Sequence, residues 1–187
     1  MSTHTQNRLE SRIGGVTLEG TPHSLTAWFV LALRFVMGGM ILTAGLGKFA
    51  FVSGDGFNAA GYLGNVNAAS PVSGLYAAMA ANPVLIDVIN VVVPVTQVLI
   101  GLALIAGAFV RLAALGGALQ MAMFYLGGWE GNWLAAFDST LVYMIVFLAL
   151  GAFAAGRILG ADALIERLEV GGEPLVERYP KLGLLLG

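Results

Sequence analysis

Arg34, Lys48 and Gln97 are the polar side chains of this 187-residue chain best placed to do chemistry, because each lies within a long apolar stretch. A charge at the centre of a bilayer costs roughly 2.5–3.5 kcal/mol unless it is paired or hydrated. A glutamine amide there must find a hydrogen-bond partner, since lipid provides none. Each of the three can therefore bind a carbonyl oxygen or another polar group of an apolar ligand.

The two basic residues belong to one face of a predicted helix. At about 100° per residue, Arg34, Gly38, Ile41, Gly45 and Lys48 fall within about 80° of one another. The two glycines allow another backbone or a flat ligand to approach closely. Long basic side chains can instead extend their charges to the membrane interface. We expect Arg34, the deeper residue, to point inward, while Lys48 fits an interfacial and a functional position equally well.

The partners of these side chains follow from what lies at the same depth. Arg34 has no acidic residue there, so Gln97, Gln120, backbone carbonyls or an anionic or carbonyl-bearing ligand must satisfy it. Gln97 can bond to a neighbouring helix or to a ligand, and Asp138 can pair with Lys48 or stay hydrated. The sequence indicates no catalytic residue. The predicted cofactor-binding residues are Arg34, Gly38, Gly45, Lys48, Gln97 and Asp138.

Composition excludes several kinds of chemistry. Cysteine is absent, which excludes thiolate nucleophiles, iron–sulfur ligation and cysteine zinc sites. The two histidines, His4 and His23, precede the apolar stretches, so neither haem nor a structural metal is expected. A net charge of −2 gives no basic surface for nucleic acid. If the chain takes part in electron transfer, an organic cofactor such as a quinone, or a partner subunit, must carry the electrons.

Four long apolar stretches position these residues, at about 25–50, 84–110, 112–129 and 135–157. As a helix, each is long enough to cross a hydrocarbon core of ~30 Å. A soluble domain of this length needs more than 11% charged residues and a lower mean hydropathy than +0.84. The sequence therefore predicts an all-α, polytopic membrane protein whose residues 25–157 form a bundle of four transmembrane helices.

The loops predict the orientation of this bundle. The outer loop, residues 51–83, contains no lysine or arginine, whereas basic residues precede the first stretch, separate the second from the third and follow the fourth. By the positive-inside rule, residues 1–24 and 158–187 are cytoplasmic in a multi-pass protein of the cell membrane. Helical spacing predicts two short helices in the outer loop, at residues 56–66 and 71–81, and an interfacial helix at 161–168 before the tail.

The membrane region also resembles the DoxX/DoxD family, which includes small integral subunits associated with thiosulfate:quinone oxidoreductase. Four segments carry the resemblance, and their order and spacing match over about residues 25–165: 33–49 (LRFVMGGMILTAGLGKF), 59–63 (AAGYL), 100–116 (IGLALIAGAFVRLAALG) and 156–162 (GRILGAD). Many relatives carry a glutamate where this chain has Gln97, which argues against a proton relay at that position. The resemblance implies a four-helix membrane bundle and, in the best-described members, thiosulfate oxidation with electrons passed to quinone.

Three functions fit these residues. The chain can be a quinone-interacting subunit of a membrane redox complex, in which Arg34 or Lys48 binds a quinone carbonyl and Gln97 orients the ring. It can be a non-catalytic membrane anchor or assembly subunit for a redox partner, or a carrier of lipids or small molecules. No residue here relays electrons by itself, so a second redox subunit or a homo-oligomer is expected besides membrane lipid.

Overall fold

The computed structural model describes residues 9–13, 16–20, 23–170 and 173–187. Much of the predicted N-terminal segment, residues 1–24, lies outside the described residues. Its described part includes an antiparallel hairpin of two strands, β1 (Leu9–Ile13) and β2 (Val16–Gly20). The sequence pattern of this polar segment did not predict a hairpin.

Helices make up most of the described chain, which confirms the predicted helical fold. They are, in order, α1 (Thr26–Leu46), α2 (Ala50–Ser53), α3 (Ala59–Gly64), α4 (Ser73–Ala80), α5 (Pro83–Ala106), α6 (Val110–Gly127), α7 (Ser139–Ala152), α8 (Ala161–Ile165) and α9 (Leu175–Arg178). Single 3-10 turns lie at Trp133–Ala135, Ala155–Arg157 and Pro180–Leu184. A second small hairpin pairs β3 (Glu169–Val170) with β4 (Glu173–Pro174).

Three of these helices are long and apolar enough to cross a membrane, which indicates a membrane protein. They are α1, α5 and α6, with 21, 24 and 18 residues. At a rise of about 1.5 Å per residue they are roughly 27–36 Å long. Large apolar side chains such as Trp28, Leu99 and Leu119 are exposed on the outer faces of these helices. Contact with lipid is more favourable for such side chains than contact with water. The fourth apolar helix, α7, has 14 residues and is shorter than the stretch predicted at 135–157.

The four long helices pack as two close pairs, α1 with α5 and α6 with α7. A Cβ atom on Gly45 of α1 would lie 2.8 Å from the Cβ of Gln97 and 3.0 Å from the carbonyl oxygen of Pro94. In the second pair, a Cβ on Gly117 would lie 2.7 Å from the ring of Phe147. Backbones approach this closely only where a helix lacks side chains. Across the interface between the pairs, α5 meets α6 less closely.

The bundle has two ends. At one of them, which we call the terminal end, α1 and α6 begin and α5 and α7 end. At the lid end, a long connection joins α1 to α5, and its residues 57–80 form what we call the lid. The lid has its own small core, in which Ala59, Leu63 and Tyr76 pack against Ile86 of α5. It is also fastened to α5 by the backbone N–H of Ala59, which donates to Oδ1 of Asn90 at 2.8 Å.

Local residues define where α5 begins and ends. Asn82 caps its first turn by accepting from the N–H groups of Val84 and Leu85, and Pro83 occupies the first helical position. At the other end, Gly107 adopts a φ of +67°, a left-handed conformation that stops the helix. The chain can therefore turn within three residues and start α6 antiparallel to α5.

The close packing of α1 on α5 predicts different effects for two neighbouring glycines. We expect Gly45→Ala to lower the free energy of unfolding by about 1–3 kcal/mol, because the new methyl group overlaps α5. Gly39→Ala is the matched control in the same helix, since a Cβ there meets nothing within 4 Å. This control should be neutral or stabilising by up to about 1 kcal/mol. Thermal unfolding in detergent compares the two, and equal midpoints would contradict the observed packing.

Candidate functional site

Arg34 is fully buried at the terminal end, with its guanidinium inside the protein. Its Nη1 donates to the carbonyl oxygens of Ala155 at 2.6 Å and Ile158 at 2.8 Å, and its Nη2 donates to that of Leu159 at 3.3 Å. These carbonyls belong to the segment that follows α7 and folds back beneath α1. Of the partners open to Arg34 from its sequence context, the structure uses backbone carbonyls.

Asp162 supplies the negative charge that is missing from the helices at the depth of Arg34. This carboxylate is completely buried, and its oxygens accept from the N–H groups of Phe109 at 2.6 Å, Val110 at 3.0 Å and Gly187 at 3.0 Å. The backbone N–H of Asp162 donates to the carbonyl oxygen of Gly107, the glycine that Arg34 packs against, so its carboxylate lies near the guanidinium of Arg34. We call Arg34, Asp162 and the backbone groups that they bind the Arg34 site.

Glycines make the Arg34 site dense. A Cβ on Gly107 would lie 2.5 Å from the Cα of Gly160 and 2.9 Å from Nη1 of Arg34. A Cβ on Gly156 would overlap the carboxylate of Asp162. The groups of the Arg34 site therefore pack directly against one another.

Backbone strain is also concentrated around the Arg34 site. Among the described residues, the non-glycine residues with positive φ are Phe109, Ala154 and Leu159, at 52°, 49° and 50°. This left-handed conformation costs roughly 1–2 kcal/mol for each such residue. Phe109 donates its N–H to Asp162, and Leu159 offers its carbonyl to Arg34. The two charged side chains thus hold strained turns in place.

The other predicted residues of α1 lie against protein rather than against open space. Gly38 and Gly45 are buried where α1 contacts α5, which is the close approach of another backbone that their small size permits. Lys48 lies just beyond α1, where its Nζ donates to the carbonyl oxygen of Ala44 at 3.0 Å and sits 5.5 Å from the ring centroid of Phe57. Burial lowers the pKa of Lys48.

Gln97 and Asp138 also lie apart from Arg34. Gln97 is 2% exposed in the contact between α5 and α1, and its Oε1 has no hydrogen-bond partner among the described residues. Asp138 caps α7 by accepting from the N–H of Leu141 at 2.8 Å. Arg34 and Lys48 are separated by about 20 Å along the helix axis. The structure therefore does not bring the six predicted residues together around one small ligand.

A site that the sequence did not indicate lies between α5 and α6. It is an apolar cavity of about 740 Å³ that extends beneath the lid, and we call it the groove. Leu99, Leu112 and Leu119 line it while remaining exposed on the outer surface, so it opens toward surrounding lipid. The other lining residues belong to three elements. They lie between residues 88 and 103 in α5, between residues 113 and 124 in α6, and in the lid (Phe57, Ala59, Tyr62, Leu63, Tyr76 and Met79), and Phe109 adds to them.

One level of the groove is polar. Ile100 of α5 contacts Gly116 of α6. Because the two helices are antiparallel, Thr96 and Gln120, each one turn away from this contact, lie at the same height in the bundle. Both side chains line the groove. The hydroxyl of Thr96 donates within its own helix, whereas Oε1 of Gln120 is buried and lacks a partner among the described residues. We call these two residues the Thr96–Gln120 pair.

The lid covers the groove by binding the end of α6. The hydroxyls of Tyr62, Tyr76 and Ser70 donate to backbone carbonyls in the last turns of α6, at 3.3, 2.9 and 2.7 Å. The carbonyl oxygens of Phe124 and Leu126 also accept from the N–H groups of Gly128 and Trp129, so these hydroxyls add second bonds that hold the lid against α6. Burial raises the pKa of both tyrosines, which keeps their hydroxyls protonated and able to donate.

The described residues contain no group of three or more His, Cys, Asp or Glu side chains able to hold a metal ion. No protein-family model, curated protein or solved structure matches the chain. The resemblance to the DoxX/DoxD family therefore stays a prediction based on its motifs. Three of the segments that carry it, residues 33–49, 100–116 and 156–162, meet at the Arg34 site.

The Arg34 site predicts a large loss of stability on removal of the guanidinium. We expect Arg34→Met to cost about 3–5 kcal/mol, because three carbonyls lose their hydrogen-bond donor and the buried carboxylate of Asp162 loses the nearby cation. Arg157→Met is the control, since the ion pair of Arg157 with Glu166 is partly exposed and contributes less than about 1 kcal/mol. Unfolding in detergent without added ligand measures both, and an Arg34→Met protein as stable as the control would contradict a structural role.

Proposed function

We propose that the chain is a multi-pass subunit of the cell membrane that interacts with a quinone in a membrane redox complex. The observation that carries this proposal is the groove, an apolar cavity that opens toward lipid and has the amide side chain of Gln120 in its wall. Quinones are apolar ring compounds that reach their sites through the bilayer, and each carries two oxygens that need hydrogen bonds. A site for them must therefore be largely apolar with a few polar groups.

The groove has the size and surface that such a ligand needs. Its volume of about 740 Å³ lies within the usual range of small-molecule sites, about 300–1,000 Å³. Aromatic rings of Phe57, Tyr62, Tyr76 and Phe124 line its lid end and can pack against a quinone ring. Its long α5 wall suits an apolar tail. The amide nitrogen of Gln120 can donate to an oxygen of either a quinone or a quinol.

This proposal moves the ligand contacts away from Arg34. The Thr96–Gln120 pair takes the polar role that the sequence assigned to Arg34, Lys48 and Gln97. Arg34, Gly38 and Gly45 instead hold the helices that form the walls. Electrons must come from a second redox subunit, because the chain has no cysteine and its two histidines precede α1. A link to thiosulfate or another sulfur compound rests on the resemblance alone.

The membrane arrangement that we propose has four crossings with both termini cytoplasmic. The lid end carries no lysine or arginine between residues 49 and 83, whereas Arg111, Arg157 and Arg167 lie at the terminal end. The helix α7 is only about 21 Å long. Trp133, Leu134 and Phe137 precede it with exposed fractions of 73, 68 and 83%, and these side chains extend its apolar length toward the outer interface.

A second function, as a membrane anchor for a redox partner, is supported by the surface at the terminal end. Leu159, Leu164 and Leu168 are 78, 66 and 56% exposed there, beside the basic Arg157 and Arg167. Exposed apolar side chains next to basic residues suit a partner protein or the membrane surface. The same apolar and basic surface also suits contact with a second copy of the chain. In this function the groove would hold ordinary lipid.

Filling the groove tests the quinone proposal. We expect Gly116→Phe to reduce the quinone that co-purifies with the protein at least tenfold, because the new ring occupies the space between α5 and α6. The quinone content of purified protein is measured after solvent extraction. The matched control is Leu115→Phe, since Leu115 is 62% exposed outside the groove. A wild-type protein that carries only phospholipid would favour the anchor function.

The absence of cysteine permits a direct test of the four crossings. Single cysteines at exposed positions, Asn67→Cys, Asn132→Cys and Arg167→Cys, report one loop each. We expect a membrane-impermeant maleimide to label the first two in intact cells and the third only after permeabilisation. Labelling of Arg167→Cys in intact cells would show that α7 does not complete a fourth crossing.

A further inference from the structure

The side chains that line the groove include none whose ordinary pKa lies near neutral pH. All its lining residues lie in the described part of the chain, and none is Asp, Glu, His, Lys or Arg. Its two tyrosines donate to backbone carbonyls of α6, and burial raises their pKa. Its remaining polar groups are the hydroxyl of Thr96 and the amide of Gln120, which do not titrate.

Charged groups on neighbouring elements are directed elsewhere. On α6, Arg111 donates to the carbonyl oxygen of Gly183 at the terminal end. On α5, Asp87 is exposed at the lid end. Lys48 donates to the carbonyl oxygen of Ala44, lies 5.5 Å from the ring centroid of Phe57 and does not line the groove. Tyr125 of α6 packs against Trp129 and does not line the groove.

Reduction of a quinone to a quinol consumes two protons together with two electrons. A site that performs this conversion therefore needs groups that deliver protons to the two ring oxygens. The amide nitrogen of Gln120 can donate to an oxygen of either form, because a quinone carbonyl and a quinol hydroxyl both accept hydrogen bonds. It cannot give up or take up a proton at neutral pH. The two forms of the ligand thus meet the same polar groups with comparable hydrogen bonding.

We propose that the groove is a holding and exchange site, in which the amide of Gln120 binds quinone and quinol alike without exchanging protons with them. No bond is made or broken in the groove. Proton and electron transfer take place where the ligand meets a second redox subunit, and the groove keeps either form available within the bilayer. This inference rests on the proposed quinone function and assigns to it the polar contacts and the kind of step.

Binding of the two redox forms at several pH values tests the inference. The full chain in lipid nanodiscs is equilibrated with a short-tailed benzoquinone or with its quinol under anaerobic conditions, between about pH 6 and pH 8. We expect the ratio of the two dissociation constants to change less than about twofold over this range, because the groove has no group to titrate. We expect Gln120→Leu to weaken both forms by a similar factor of about ten, the worth of one buried hydrogen bond.

Two further variants sharpen the test. Gln120→Glu introduces a titrating group at the same position, so its ratio should change about tenfold or more with pH. If that variant does not fold, Gln120→Met keeps the length of the side chain, removes the donor and should again weaken both forms by a similar factor. Lys48→Met should leave the wild-type ratio unchanged, because Lys48 does not line the groove.

The outcomes separate this inference from the function on which it rests. If neither form binds the wild-type protein, the proposed quinone function fails, and the inference fails with it. If both forms bind but their ratio shifts strongly with pH, or if Lys48→Met changes it, the groove exchanges protons and only the inference fails. Equal weakening of both forms by Gln120→Leu at every pH supports both.

Discussion

The structure depends on one buried interaction, the binding of the Arg34 guanidinium to the segment that follows α7. Arg34 reaches three carbonyls of that segment, and Asp162 balances its charge while binding the start of α6. One cation thereby connects the beginnings of α1 and α6 with the ends of α5 and α7. The strained turns at Phe109 and Leu159 are held by bonds to these two side chains. The terminal end is consequently the rigid part of the bundle.

The openness of the groove follows from how the helices pair. Glycines bring α1 close to α5 and α6 close to α7, so the small residues are used within the pairs. Between the pairs, Gly116 of α6 contacts Ile100 of α5, and the space beside this contact forms the groove. The lid spans this space, fastened to α5 through Asn90 and to α6 through hydroxyl groups. Rigid pairs and a bridging lid thus leave a cavity without weakening either pair.

Composition and periodicity predict the helical fold and its membrane environment, because apolar stretches of this length have few other solutions. The depth of Arg34 in the first stretch is likewise enough to predict that its side chain points inward. Its partners were not predictable, since they lie 121 or more residues away and reach it only because the chain folds back after α7. The groove was not predictable either, because periodicity gives the faces of α5 and α6 but not their separation. The sequence predicted Gln120 only as one partner for Arg34, because its place in the groove depends on how α5 and α6 pack.

The distance along the chain between Arg34 and its partners has a consequence for biogenesis. Ribosomes deliver α1 to the membrane long before Ala155, Ile158 and Asp162 have been synthesised. During that interval a helix with an uncompensated cation must be sheltered, by the insertion machinery or by water, since lipid penalises it. Chains cut short ahead of residue 155 would never acquire the compensating groups, and quality-control proteases would meet them as incompletely inserted helices.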